Sequence, residues 1–165
     1  MSAALFLDLP DAEATTALAA RMAPHLRPGM AILLDGPVGA GKSHFARALI
    51  QALLASDGRH EEVPSPTYTL VQVYDAGGQE IWHADLYRLN DPLEIAELGL
   101  DEAFGRAICL VEWPDRLAAG APRRALRLSL DYVPGGEGRT VRLDPAGPEW
   151  GKVMTAARAG MDADV

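Results

Sequence analysis

Met30-Ala31-Ile32-Leu33-Leu34 followed by Asp35 and then Gly36-Pro37-Val38-Gly39-Ala40-Gly41-Lys42-Ser43 is the stretch whose reading decides the fold. Its first five residues are a continuous apolar run of strand length, the pattern of a strand covered on both faces in a parallel sheet. From His44 to Leu54 the chain has neither Gly nor Pro, and Phe45, Leu49, Ala52 and Leu53 fall along one side of a helix. Between strand and helix, Gly36 to Ser43 fits G-x-x-x-x-G-K-[ST]. Glycines let such a loop wrap closely around phosphates so that backbone N–H groups converge on oxygen, and the following helix N-terminus adds a favourable field. Lys42 is suited to reach the β- and γ-phosphates. The Ser43 hydroxyl is suited to a hard cation such as Mg2+. A bare glycine turn before an ordinary helix explains the spacing less well, because motif and context agree.

Working outward, Asp11 is expected to cap a helix over Ala12 to Leu26, in which Ala14, Leu18, Met22 and Leu26 recur at helical spacing, and Pro28-Gly29 ends it. Downstream, Leu70, Gln72 and Tyr74 alternate with Val71 and Val73, and Gly77-Gly78 turns the chain into Ile81 to Asp85, which predicts an antiparallel hairpin. Asn90-Asp91-Pro92 opens a short helix through Leu98, and Ala107 to Glu112 reads as a second buried strand. Alternation at Leu126, Leu128, Leu130 and Tyr132, a Pro134-Gly135-Gly136 turn, and alternation at Val141 and Leu143 predict an antiparallel extension. Trp150 to Ala159 suits a last helix, and the final residues are expected to fray. The expected class is α/β: a P-loop NTPase-like three-layer sandwich whose mixed sheet has a parallel core and an antiparallel extension. Residues 1–159 are expected to form one domain.

Composition narrows the function classes. A chain of 165 residues with 48% apolar content suits one domain with an ordinary core. The single cysteine, Cys109, excludes an intramolecular disulfide and a cysteine-rich metal site, and points to a reducing, cytoplasmic compartment. No stretch approaches the roughly 20 apolar residues of a membrane span, and the first nine residues lack the basic and apolar regions of a secretion signal. The net charge of −8 disfavours tight, independent binding to nucleic acid, which calls for basic stripes. Arg123, Arg124 and Arg127 read as solvated groups on a strand edge.

A phosphate loop that works with magnesium needs a carboxylate, and its usual source is the C-terminal end of a neighbouring strand. Glu112 ends the apolar run from Ala107, and Asp85 ends the run from Ile81. Glu112 is the preferred metal-linked carboxylate. Asp85 is suited to bind metal through water, to orient an attacking water or to position Lys42. Thr67, in Ser65-Pro66-Thr67-Tyr68, lies where switch-type loops sense a γ-phosphate, although a rigid Pro turn explains it nearly as well. His83 reads as a packed strand residue, out of phase with the neighbours of Asp85 and with no evident second partner. Trp113 suits stacking or core packing equally.

Four blocks occur in one order: the phosphate loop, Ser65-Pro66-Thr67-Tyr68-Thr69-Leu70-Val71, His83-Ala84-Asp85-Leu86-Tyr87-Arg88-Leu89, and Cys109-Leu110-Val111-Glu112-Trp113-Pro114. Together they resemble the TsaE family over about Asp8 to Arg142. The resemblance implies a small bacterial ATPase required for the threonylcarbamoyladenosine modification of tRNA at position 37, acting with TsaD and TsaB and meeting tRNA only through them. It implies ATP and Mg2+ as ligands, with nucleotide contacts at Gly36, Val38, Gly39, Ala40, Gly41, Lys42, Ser43 and His44. It further implies metal ligation by Ser43 and Glu112, active-site roles for Lys42, Asp85 and Thr67, and a basic residue near the nucleotide at Arg139. Pro37-Val38 and Ser43 depart from the commoner family pattern. Ser43 keeps the oxygen ligand, and Pro37 is permissible where the loop needs no N–H. Two other functions remain open at this point: a small P-loop kinase acting on a metabolite, and a binding module that ATP occupancy controls without essential hydrolysis.

Overall fold

The computed structural model describes residues 3–59, 63 and 70–162, with helix backbone alone for 160–162. Seven strands form one sheet: β1 (Leu5–Leu9), β2 (Ala31–Asp35), β3 (Val71–Ala76), β4 (Gln79–Asp85), β5 (Ile108–Glu112), β6 (Leu126–Tyr132) and β7 (Arg139–Pro145). Their order is β1-β7-β6-β2-β5-β4-β3. Strands β6, β2, β5 and β4 run parallel, and β7 with β1 on one side and β3 on the other complete the sheet antiparallel. The parallel core is therefore two strands wider than the alternation suggested, because β4 pairs parallel with β5 as well as antiparallel with β3, and β6 parallel with β2 as well as antiparallel with β7. Strand β1 was not foreseen; Leu5, Leu7 and Leu9 point inward in alternation with exposed Phe6 and Asp8.

Three helices, α1 (Ala12–Met22), α2 (Lys42–Ser56) and α5 (Gly151–Asp162), cover one face of the sheet. Asp11 caps α1 as expected, its side chain accepting from the Ala14 N–H at 2.8 Å. The helix gives way to a 3-10 turn over Ala23–His25, earlier than Leu26, because Pro24 has no N–H to continue the α ladder. On α2, Phe45, Leu49, Ile50, Leu53 and Leu54 are buried against Ile32, Leu34, Ile81 and Leu110 of the sheet. Each fully buried side chain of this size contributes about 1.5–3 kcal/mol. The other face carries only short elements, α3 (Pro92–Ala96), α4 (Leu100–Ala103) and a turn over Pro114–Gly120, packed on Leu33, Ala84, Cys109 and Val111. Two layers of helix around one sheet make the three-layer α/β sandwich. No helix among the described residues is long and apolar enough to cross a membrane.

Register places the site. Leu34 of β2 lies beside Glu112 of β5, and Glu112 beside Asp85 of β4. The C-terminal ends of three parallel strands thus stop at one level, where the loop from Asp35 to Gly41 climbs into α2.

Candidate functional site

The loop between β2 and α2 is shaped by glycines whose positive φ other residues adopt only under strain. Gly36 has φ +143°, and a Cβ there would run into the Leu130 carbonyl of β6. Gly39 has φ +83°, and a Cβ there would meet the Tyr132 hydroxyl at 2.8 Å. Helix α2 starts at Lys42 with Gly41 as its N-cap, so no side chain caps its first turn. Its leading N–H groups and the positive end of the helix dipole are left for an anion.

Beneath this turn lies a cavity of about 400 Å³ lined by Val38, Gly39, Gly41, Lys42, Ser43, His44, Arg47, Asp85, Tyr87, Glu112 and Trp113. Ser43 Oγ donates to Glu112 Oε1 at 2.8 Å, although 69 residues separate them in sequence. The other Glu112 oxygen, Oε2, is 2.7 Å from His83 Nε2. Asp85 Oδ1 accepts from the Tyr87 N–H at 3.1 Å. Burial, with the Glu112 charge beside it, pushes the Asp85 carboxyl above its ordinary value; the Tyr87 N–H, His83 and Lys42 act the other way.

Lys42 is a buried cation, not a surface one: its side chain folds back to donate to the Gly36 carbonyl, and its Nζ sits 3.6 Å from the centre of the Trp113 ring. Burial lowers its pKa, and Glu112, Asp85 and Asp35 together oppose that shift. Trp113 reaches this position from a left-handed backbone, φ +59°, which costs a non-glycine residue about 1–2 kcal/mol. Its ring also meets Tyr87, centroids 4.9 Å apart. Trp113 is therefore a wall of the site and also packs against the core on that face of the sheet.

Across the loop is a second, smaller cavity of about 300 Å³, lined in part by Leu9, Asp11, Gly39, Gly41, His44 and Arg139. Arg139 opens β7, lies over the Tyr132 ring at 4.6 Å and reaches the Gly39 carbonyl at 3.4 Å. Tyr132 donates to the Val38 carbonyl. The His44 imidazole turns away to α1, 2.8 Å from Thr16 Oγ1, leaving its backbone in the first turn of α2. A further cavity of about 890 Å³, beside Arg27, Met30 and Lys152, lies at the opposite ends of the strands and touches none of these residues.

The structure thus brings Gly36, Val38, Gly39, Ala40, Gly41, Lys42, Ser43, Asp85 and Glu112 together and sets Arg139 at the loop's far side. Thr67 lies outside the described residues. The reading of His83 needs correction. It is buried, but Ile81, His83 and Asp85 alternate on one face of β4, and its partner is Glu112. A period of two from Asp85 would have put it there; the pairing with Glu112 needed the β4–β5 register. The roles of Trp113 and Tyr132 at the loop had no signal beyond their positions at strand ends.

The donor set suits Mg2+. Ser43 and Glu112 offer hard oxygens, and Asp85 stands beside them. Among the described residues no three His, Cys, Asp or Glu side chains gather as a self-sufficient cage. Magnesium commonly binds through one or two protein oxygens with the remainder from phosphates and water.

A family model described as "Threonylcarbamoyl adenosine biosynthesis protein TsaE" matches residues 9–141. Among curated proteins, one from Haemophilus influenzae named "tRNA threonylcarbamoyladenosine biosynthesis protein TsaE" is 37% identical over 109 residues, 66% of each chain. A protein of the same name from Rickettsia conorii is 42% identical over 62% of this chain and 57% of its own length. Another from Bacillus subtilis is 37% identical over 70% of each. The match to the first two relatives spans less than two thirds of their length. A crystal structure of Bacillus subtilis YdiB superposes with a TM-score of 0.79 at 26% identity, over 98% of both chains.

Proposed function

This chain belongs to the TsaE family of threonylcarbamoyl adenosine biosynthesis proteins, and from that premise we propose that it binds ATP with Mg2+ and hydrolyses it for the tRNA-modifying partners TsaD and TsaB. The observation that carries the reading is the 2.8 Å bond from Ser43 to Glu112 under the phosphate loop, with Asp85 in register beside Glu112. Two oxygen ligands and a further carboxylate stand where the terminal phosphate of a bound nucleotide would lie. The base side of the nucleotide falls to the smaller cavity at Asp11 and Arg139.

In this reading the loop N–H groups and the N-terminus of α2 hold the phosphates. Lys42 leaves the Gly36 carbonyl and the Trp113 ring for the phosphate oxygens. Ser43 and Glu112 would hold the magnesium ion, which would supply charge neutralisation on the phosphates. Asp85 accepts a hydrogen bond from the attacking water. Thr67, outside the described residues, would sense the γ-phosphate. The net charge of −8 supports contact with tRNA through partners rather than directly.

ATPase assay of the purified chain, alone and with TsaD and TsaB, tests the whole. Low activity alone, raised by both partners and abolished by EDTA, is the expected result. Phosphate transfer to a metabolite would instead favour a kinase. Partner capture that depends on ATP without any turnover would favour a nucleotide-controlled binding module.

A further inference from the structure

The buried polar and charged side chains among the described residues are Thr15, Lys42, His83 and Glu112. The phosphate loop accounts for Lys42 and Glu112. His83 sits at the foot of the same site, fully buried, and nothing in the nucleotide contacts requires it. On its face of β4, Ile81 precedes it as a plain core residue. An aliphatic side chain at 83 would continue that stripe without leaving a polar atom dry. The histidine does leave one: its Nδ1 is buried with no hydrogen-bond partner among the described residues. Its sheet neighbours supply none: Leu110 on β5 is apolar, and the Gln72 amide on β3, whose oxygen accepts from Tyr74 Oη at 2.7 Å, makes no bond to it. A packing residue would not carry that cost.

What the imidazole gains is the 2.7 Å contact of Nε2 with Glu112 Oε2. The carboxylate is acceptor-only when ionised, so Nε2 must carry a proton to bond it. The opposite tautomer would set two lone pairs against each other and bury an unpaired N–H as well. Glu112 is then pinned at both oxygens, by Ser43 at Oε1 and by His83 at Oε2.

We propose that His83 is a positioning residue for the metal-linked carboxylate: Nε2–H holds Glu112 Oε2 and so fixes Oε1, the oxygen shared with Ser43, as the one turned to the metal. This deepens the reading of the site given above and rests on it. When Ser43 shifts its hydroxyl to a cation, the His83 bond is the one that remains to keep the Glu112 carboxylate from rotating. Partners that orient a metal-ligating carboxylate in this way change metal affinity or activity by roughly 10–100-fold when removed. The direction of the effect follows from what His83 touches. It meets no phosphate position, so its loss acts on magnesium coupling and not on bare nucleotide binding.

Two measurements on the full chain test this. Ring 15N shifts of His83 in the ligand-free protein, assigned by their loss in His83→Gln, are expected to show Nε2 protonated; an Nε2 without its proton would overturn the proposal whatever the protein does with ATP. The second is ATP affinity across a magnesium titration and in EDTA. His83→Leu should need about 10–100-fold more magnesium for the same gain in affinity, with EDTA affinity unchanged. His83→Gln, whose amide reaches the Nε2 position, should restore the response to within about threefold, and His83→Asn, whose amide stops at Nδ1, should not. If His83→Leu does not fold, the Gln and Asn pair still decides the matter. Parent-like magnesium coupling in both Leu and Asn variants would overturn the positioning role and leave the ATP–magnesium reading standing. Absence of magnesium coupling in the parent would overturn both.

Discussion

The two sides of the phosphate loop are built differently. Toward β4 and β5, charged groups are buried or half-buried and crowd one another: Lys42 lies against Trp113 and Gly36, Glu112 between Ser43 and His83, and half-buried Asp85 beside the like charge of Glu112. Toward β6 and β7, the loop is touched from outside by partly exposed side chains, Tyr132 on the Val38 carbonyl and Arg139 on the Gly39 carbonyl. The first arrangement stores charge at low solvent exposure, where each electrostatic contact is strong and each orphaned group costly. The second holds the loop's outline with single, solvated bonds. Chemistry therefore belongs on the first side and adjustable binding on the second, and substitutions should fall into two classes of effect.

Lys42→Ala should have the largest effect. It removes the cation that three carboxylates face, and with it the charge-assisted bonds to phosphate, so kcat/KM for ATP should fall by about 10³-fold or more. Because Lys42 is buried, the variant also leaves Glu112, Asp85 and Asp35 without their shared counter-charge. The measurement is steady-state hydrolysis with TsaD and TsaB, beside a thermal melt to show the fold retained. A near-normal kcat/KM would remove the case for ATP at this loop.

Next come Asp85→Asn and Glu112→Gln, each expected to lower single-turnover hydrolysis by about 10²-fold while sparing partner capture. Glu112→Gln should in addition weaken magnesium coupling. The double variant should lose less than the product of the two, because both act on one transition state and a water is not usefully aimed when the metal is out of place. Parent rates in both single variants across a magnesium titration would make these carboxylates structural. On the other side, Tyr132→Phe deletes one bond to the loop, worth about 1 kcal/mol, so ATP affinity should drop no more than about fivefold with kcat unchanged. A hundredfold loss there would erase the distinction between the sides.

How much of this was legible follows the same division. The phosphate loop was readable because its determinants are contiguous: an apolar run, eight residues of loop and an uninterrupted helix. Asp85 and Glu112 were readable because each ends an apolar strand. Their partners were not, since His83 meets Glu112 only through the β4–β5 register, and Trp113 covers Lys42 only through a left-handed backbone that its residue type disfavours. Strand β6 looked antiparallel because Leu126, Leu128 and Leu130 alternate with half-buried positions. A parallel core strand alternates in this way when one face is covered only thinly, as it is here by short segments. Strand β1 escaped because five residues with an exposed Phe6 carry too short a pattern.

The smallest effect separates a working carboxylate from a structural one. Asp11 caps α1 beside the smaller cavity, and Asp11→Ala should cost about 1 kcal/mol, the usual value of such a cap, lowering Tm by about 2–4 °C. Asp85 should behave in the opposite sense in the ligand-free protein. Its folded pKa is raised above the ordinary 3.8, so the folded state binds that proton more tightly than the unfolded chain does. The stability this confers is fully present below 3.8 and is lost as pH rises through the raised value. At neutral pH the parent therefore folds around an ionised group in a place that disfavours its charge. Asp85→Asn removes the charge and keeps an oxygen for the Tyr87 N–H, so in EDTA its Tm should exceed the parent's at pH 7, and the excess should vanish as the pH falls to 3.8 and below. Melts of both proteins from pH 7 to pH 3.5 read this directly. A Tm for Asp85→Asn below the parent's at pH 7 would mean that Asp85 supports the fold as Asp11 does, and the β4 side of the loop would lose its claim to be the side prepared for chemistry.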